Sequence, residues 1–246
     1  MTYELDQGAG AGLRLGLIVL STDETLEYEA RAVVAGRDAN LLHTRIPARA
    51  DVTPEDLETM AGEMTATAGL LPRGLNAVAY GCTSGATIIG PERVEALVQM
   101  AHPGVPVTNP MSSVIAAIRA MGASRIAMVS PYVESVTGPM RAYLASHGIE
   151  TVSDVSFGQK EDWTVARIAE ASTLNAICEA GAAPGVEAVF TSCTNLRTFG
   201  ILEEAEARLG VPVISSNSAL IWNLLRLAGR PATGWGPGRL YARQAA

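Results

Sequence analysis

Lysine is nearly missing from this chain: among eighteen Lys and Arg side chains only Lys160 is a lysine. Schiff-base and pyridoxal chemistry needs a buried amine with a shifted pKa. Lys160 sits in the polar run Gln159-Lys160-Glu161-Asp162, so those mechanisms are left without a candidate. Cysteine is scarce too. Cys82, Cys178 and Cys193 make no C-x-x-C pair, no Cys/His zinc spacing and no even disulfide framework. Free thiols suit a reducing compartment, and a cytoplasmic protein is expected. Basic charge is lacking as well: the formal net charge is −7, against the basic stripe that nucleic acid requires. The three histidines (43, 102, 147) show no paired spacing and read as surface or packing residues. The uncharged run from Gly74 to Pro91 approaches membrane-span length but holds Asn, Cys, Thr, Ser and four glycines, which argues against insertion. Residues 1–12 have neither the basic nor the apolar region of a signal peptide and read as a loose leader.

What is present is a globular composition: 246 residues, 48% hydrophobic and 17% charged, enough for one large domain or two small ones. Short β-branched runs alternate with helical stretches, the signature of βαβ units on a parallel sheet. Strands are predicted at Arg14–Leu20, Leu41–Ile46, Ala77–Tyr80, Val105–Thr108, Ile126–Val129, Thr151–Val155, Ala188–Thr191 and Val211–Ile214. One helix should start after Thr53, which can cap it, with Pro54 at the first position; another should cover about Thr164–Ala180.

The pattern repeats. Arg14-Leu-Gly-Leu-Ile-Val returns as Arg125-Ile-Ala-Met-Val-Ser, and Ala77-Val-(x)3-Cys82-Thr83 returns as Ala188-Val-(x)3-Cys193-Thr194, both at an offset of 111. Gly104-Val-Pro-Val returns at Gly210, and Ile118-Arg-Ala-Met-Gly loosely at Leu225. Four segments in one order point to a duplicated α/β unit. The expected fold is therefore α/β, two lobes with parallel sheets related by a pseudo-two-fold axis. Residues 1–110 plus 215–246 would make the first lobe and its C-terminal helix, and 111–214 the second.

Ligand sites of such sheets lie at the carboxyl ends of strands. Cys82 and Cys193 occupy equivalent places there, each read as entering a helical stretch, so both thiols could face one cleft. A helix start would favour thiolate and lower the thiol pKa. Neighbouring hydroxyls of Thr83, Ser84 and Thr194, with the Asn195 amide, would cradle a carboxylate or oxyanion. Two acid/base groups on opposite faces of one carbon are what racemisation requires. Cys178 reads as helix packing.

With these residues in view the chain resembles the aspartate/glutamate racemase superfamily along almost its whole length. The nearest branch is similar to maleate cis-trans isomerase, arylmalonate decarboxylase and the racemase-like protein of ectoine utilisation. The motifs are the first loop with Thr22, Asp23 and Glu24, Tyr80-Gly-Cys82-Thr-Ser-Gly, Val129-Ser-Pro-Tyr132, Asp162-Trp-Thr-Val-Ala-Arg167 and Ser192-Cys193-Thr-Asn-Leu-Arg-Thr-Phe199. The resemblance implies two Rossmann-like (flavodoxin-like) lobes, no cofactor or metal, a small carboxylate as substrate, a homo-oligomer, and catalysis by the cysteine pair. It gives Tyr132 a place on a substrate carboxylate. It also sets Asp23 and Asp162 where the maleate isomerases carry carboxylate-binding asparagines. Aspartate repels a carboxylate, which favours a substrate with an amine or amidine group. Each aspartate could instead cap a helix. Retention of Cys82 argues against arylmalonate-type decarboxylation.

Overall fold

The computed structural model describes residues 1–6, 8–9 and 12–242. Parts of the leader expected over 1–12 (residues 7, 10 and 11), and residues 243–246 of the expected first lobe, lie outside the described residues. The first half runs β1 (Arg14–Leu20), α1 (Leu26–Val34), β2 (Asn40–Ile46), α2 (Pro54–Ala68), β3 (Ala77–Gly81), α3 (Thr83–Ile89), α4 (Pro91–Gln99), β4 (Val107–Thr108) and α5 (Pro110–Met121). The second runs β5 (Arg125–Tyr132), α6 (Glu134–Ser146), β6 (Glu150–Gln159), α7 (Asp162–Val165), α8 (Glu170–Gly181), β7 (Ala188–Thr191), α9 (Leu202–Leu209), β8 (Val213–Ser215), α10 (Ser216–Leu227) and α11 (Arg239–Ala242).

Two four-stranded parallel sheets result, β2-β1-β3-β4 and β6-β5-β7-β8, the same order twice. Central strands are buried apart from the arginines that open β1 and β5, as parallel strands between helical layers must be, while the edge strand β6 is only half-buried or exposed. Val-Pro-Val recurs for one reason in both halves. Pro106 and Pro212 have no N–H for the ladder, yet their carbonyls accept from Val78 and Val189. Strands β4 and β8 therefore begin only after the proline, later than the sequence pattern placed them.

Helix α2 starts as expected, with Thr53 Oγ1 accepting from Asp56 N and Pro54 in the first turn. The single helix expected over 164–180 is instead two, α7 and α8, divided by an extended residue, Ala169. Tertiary contacts override periodicity there. Arg167 stacks on Trp163 at 4.0 Å and pairs with Glu24 of the first half, while Arg197 holds the Ile168 carbonyl.

The halves are laced together at their tops and bases. Helix α10, though it follows β8, packs on β3 and β4; α5 packs on β7 and β8; and the two helices lie against each other. Opposite them, an isolated antiparallel bridge joins Asp51 to Glu161, with Val52 N donating to Lys160 O and Asp162 N to Ala50 O. Among the described residues no helix is long and apolar enough to cross a membrane.

Candidate active site

The carboxyl ends of β1, β3, β5, β6 and β7 converge on one small, closely packed pocket. Its lining includes Asp23, Cys82, Thr83, Ser84, Tyr132, Asp162, Cys193, Thr194 and Asn195, with Leu20, Val52 and Leu57 as the apolar wall. Nine of the ten residues singled out in the sequence thus share one cavity. The tenth, Thr22, stands behind the lining and donates to Asp162 Oδ2 at 2.6 Å. The apolar wall gave no sequence signal, because Leu20 at the end of β1, Val52 in a loop and Leu57 on α2 look like any core residues.

Cys82 is the cap residue of α3, and its Sγ accepts the Gly85 N–H at 3.2 Å. That is the helix-start geometry expected of it. The low thiol pKa is not found: burial outweighs the hydrogen bond and pushes Cys82 up to about 12, with Asp162 and Asp23 adding repulsion. Glycines clear the space around it. A Cβ on Gly81 would lie 2.2 Å from Leu26 Cδ2, and one on Gly85 3.1 Å from Cys82 Sγ.

Cys193 differs from its twin. No helix begins there; the chain turns through φ +102°, the one positive φ at a non-glycine residue among those described. Helix formation is forestalled because side chains take the loop's amides. Cys193 Sγ accepts from Asn195 N at 3.3 Å, and the Glu29 carboxylate accepts from Thr198 N at 2.7 Å and Phe199 N at 2.9 Å. Ser216 Oγ accepts from Cys193 N at 3.1 Å, and Asn217 Nδ2 bridges Thr194 O and Glu29 Oε2. These bonds hold a backbone conformation that ordinarily costs about 1–3 kcal/mol. Burial, then Asp162, raises the Cys193 thiol well above its ordinary range. Glu29 itself, buried on α1, is pushed up to about 7 by desolvation against the hydrogen bonds it accepts. Sequence inspection passed over it, since a glutamate on an amphipathic helix ordinarily faces water.

The two aspartates differ in what they hold. Asp23 Oδ1 accepts from Thr25 N and Leu26 N at 2.8 Å, opening α1, while buried Oδ2 has no hydrogen-bond partner. The Thr194 hydroxyl beside it is directed to Gly81 O at 3.4 Å. Burial raises Asp23 to about 6. Asp162 is the first residue of α7 but does not cap it. Tyr132 Oη donates to its Oδ1 at 2.5 Å and Thr22 to its Oδ2, and burial raises its pKa as well. Tyr132 Oη also lies 3.3 Å from Cys193 Sγ. Asn195 is committed to the protein: Oδ1 accepts from Glu24 N, and Nδ2 donates to Asp162 O. Among the described residues no Lys, Arg or His lines the pocket and no group of three metal-binding side chains converges.

Two equivalent α/β lobes, each presenting a cysteine from the end of its third strand to a shared pocket, have the plan of the aspartate/glutamate racemase superfamily. Within it the chain belongs to the arylmalonate decarboxylase family, whose model matches residues 15–241. It is 28% identical over 245 residues to the maleate isomerase of Nocardia farcinica, spanning 95% of this chain and 97% of that one. It is 35% identical over 141 residues to the arylmalonate decarboxylase of Bordetella bronchiseptica, a match spanning 56% of this chain and 58% of that enzyme. A Nocardia farcinica maleate cis-trans isomerase variant with a covalently bound succinylcysteine intermediate superposes with a TM-score of 0.85 at 25% identity, covering 93% of this chain and 98% of that one.

Proposed function

We propose that this protein is a cofactor-independent isomerase or racemase in which Cys82 and Cys193 act on one small carboxylic acid bearing an amine or amidine. The observation that carries the reading is the pairing of two thiols with two buried carboxylates in a pocket that, among the described residues, no cation lines. A dianion such as maleate would meet Asp23 and Asp162 at close range; like charges 4 Å apart repel by about 4 kcal/mol at an effective dielectric of 20. A cationic nitrogen on the substrate reverses that sign, and the unpartnered Oδ2 of Asp23 is the acceptor for it. The substrate carboxylate then falls to the Ser84 hydroxyl, joined by those of Thr83 and Thr194 once they turn from Ser216 Oγ and Gly81 O. One thiolate withdraws the α-proton, the thiol on the other wall returns one to the opposite face, and the hydroxyls stabilise the enediolate between them.

The test is turnover in D2O with a panel of small amino and hydroxy acids, ectoine-derived ones included, and with maleate. Solvent deuterium at Cα, abolished by Cys82→Ala and by Cys193→Ala in folded protein, supports the reading. Turnover of maleate without deuterium uptake would replace it with thiol addition to a double bond. Release of CO2 from a substituted malonate that survives Cys82→Ala would replace it with decarboxylation.

A further inference from the structure

The two thiols are wired differently, and the difference assigns them different work. Cys82 Sγ touches a backbone amide, Gly85 N. Its phenolic neighbour Tyr80 is directed to Met60 Sδ at 3.6 Å. Cys193 Sγ touches Tyr132 Oη, whose own proton points to Asp162 Oδ1. The other oxygen of Asp162 is held by Thr22, so the carboxylate cannot swing away from the phenol.

We propose that Cys193, Tyr132 and Asp162 form a proton relay in which Asp162 is the reservoir for the Cys193 thiol. The S–H proton passes to Tyr132 Oη as the Tyr132 O–H proton passes to Asp162 Oδ1. One S–H bond and one O–H bond break, two O–H bonds form, and the tyrosine ends as it began. The outcome, thiolate plus carboxylic acid from thiol plus carboxylate, leaves the charge of the pocket unchanged. That matters where no described cation lines the wall. Direct ionisation of Cys193 would add a charge beside Asp162 and Asp23 in a buried cavity, whereas the relay moves a charge already there. The new thiolate keeps the Asn195 N–H as a donor. Reversal returns the proton to sulfur for delivery to a carbanion. Asp162 thus acts through Tyr132, and Cys82 keeps its proton until the reaction takes it. An asparagine at 162 could hold the tyrosine but could not store the proton.

The relay takes its purpose from the isomerase reading above, but its test needs no substrate. Other titratable groups facing the trio are Asp23 after β1 and Cys82 after β3, with Glu29 behind Asp23 on α1 and Tyr80 beside Cys82. The exposed Glu24–Arg167 pair joins the loops on their outer side. The experiment starts from full-length protein with Cys82→Ala and Cys178→Ala, so that Cys193 is the single thiol. Its alkylation by iodoacetamide is followed by mass spectrometry from pH 5 to 10. With the relay, the rate shows two steps, a plateau reached as the Cys193–Asp162 pair loses its first proton and a second rise at high pH. Adding Asp162→Asn should erase the plateau and slow alkylation at pH 7 at least tenfold, leaving a single rise toward high pH. Plain electrostatics gives the opposite sign, because removing a neighbouring negative charge eases thiolate formation. Alkylation as fast or faster in Asp162→Asn at pH 7 therefore overturns the relay. Should that variant fail to fold, Tyr132→Phe decides: it keeps Asp162 and removes the bridge, so the relay requires slowing and an unchanged rate refutes it. A two-step profile in a protein that turns over none of the panel would retain the relay and sink the isomerase reading alone.

Discussion

Replacing Glu29 with glutamine asks whether burial or hydrogen bonding governs the carboxylate that braces the Cys193 loop. The side chain accepts from two backbone amides and from Asn217, which favours its ionised form, while desolvation and the nearby Asp23 oppose ionisation. Burial prevails, taking the group from 4.5 to about 7. A proton held more tightly in the folded than in the unfolded state stabilises the fold fully below pH 4.5, and that contribution drains away as pH rises through 7. The whole shift corresponds to about 3 kcal/mol, of which about 2.5 kcal/mol lies between pH 5 and pH 8. Glu29→Gln removes the titration while keeping the size. Wild-type stability minus variant stability should therefore fall by about that amount, on the order of 2–3 kcal/mol, from pH 5 to pH 8. Equilibrium urea unfolding at both pH values measures it, with circular dichroism and tryptophan fluorescence required to coincide so that a two-state analysis holds. A difference that stays constant, or moves in favour of the wild type toward pH 8, would mean that the three donors outweigh desolvation, and the reasoning about this site would be wrong.

Other positions yield sharper or simpler outcomes. Because Cys193 sits at φ +102°, Cys193→Gly should be more stable than Cys193→Ala by about 1 kcal/mol in thermal or urea unfolding, reversing glycine's usual handicap, while both lack turnover. Thr53→Ala should cost about 1 kcal/mol by loss of the α2 cap, and because α2 carries Leu57 of the pocket wall, KM should rise. Gly81→Ala drives a methyl into Leu26 and should cost about 1–3 kcal/mol in the same unfolding assay while displacing Cys82. If Asp23 holds an amine it must be ionised, so kcat/KM should fall as pH drops through about 6; Asp23→Asn should remove both that limb and activity on amine-bearing substrates.

The repeat made the fold readable. An offset of 111 set β1 against β5 and β3 against β7, and the two sheets do share one strand order. Nine of the ten site residues meet for the same reason: strand ends at equivalent places deliver their loops to one side. Where symmetry was extended further it failed. Cys193 does not copy the helix start of Cys82, because Glu29 from the other half takes the amides of Thr198 and Phe199. That contact joins residues 169 positions apart and leaves no local pattern. The thiol pKa values went the other way for a related reason. A helix start can be read from a few letters, whereas the depth at which the fold buries it depends on everything packed around it. Helix α8 was merged with α7 because periodicity carries no record of Arg167 reaching across to Glu24.

Ser216 is the residue where the crossing of α10 has its clearest effect. Its hydroxyl oxygen accepts from Thr83 Oγ1 at 2.8 Å and from the Cys193 amide at 3.1 Å, so the loops bearing the two sulfurs hang from a single atom. Neither loop can drift without dragging on the pin that seats its counterpart. The spacing between the thiols is thereby set by one short linkage inside the molecule and not by how widely the halves stand apart.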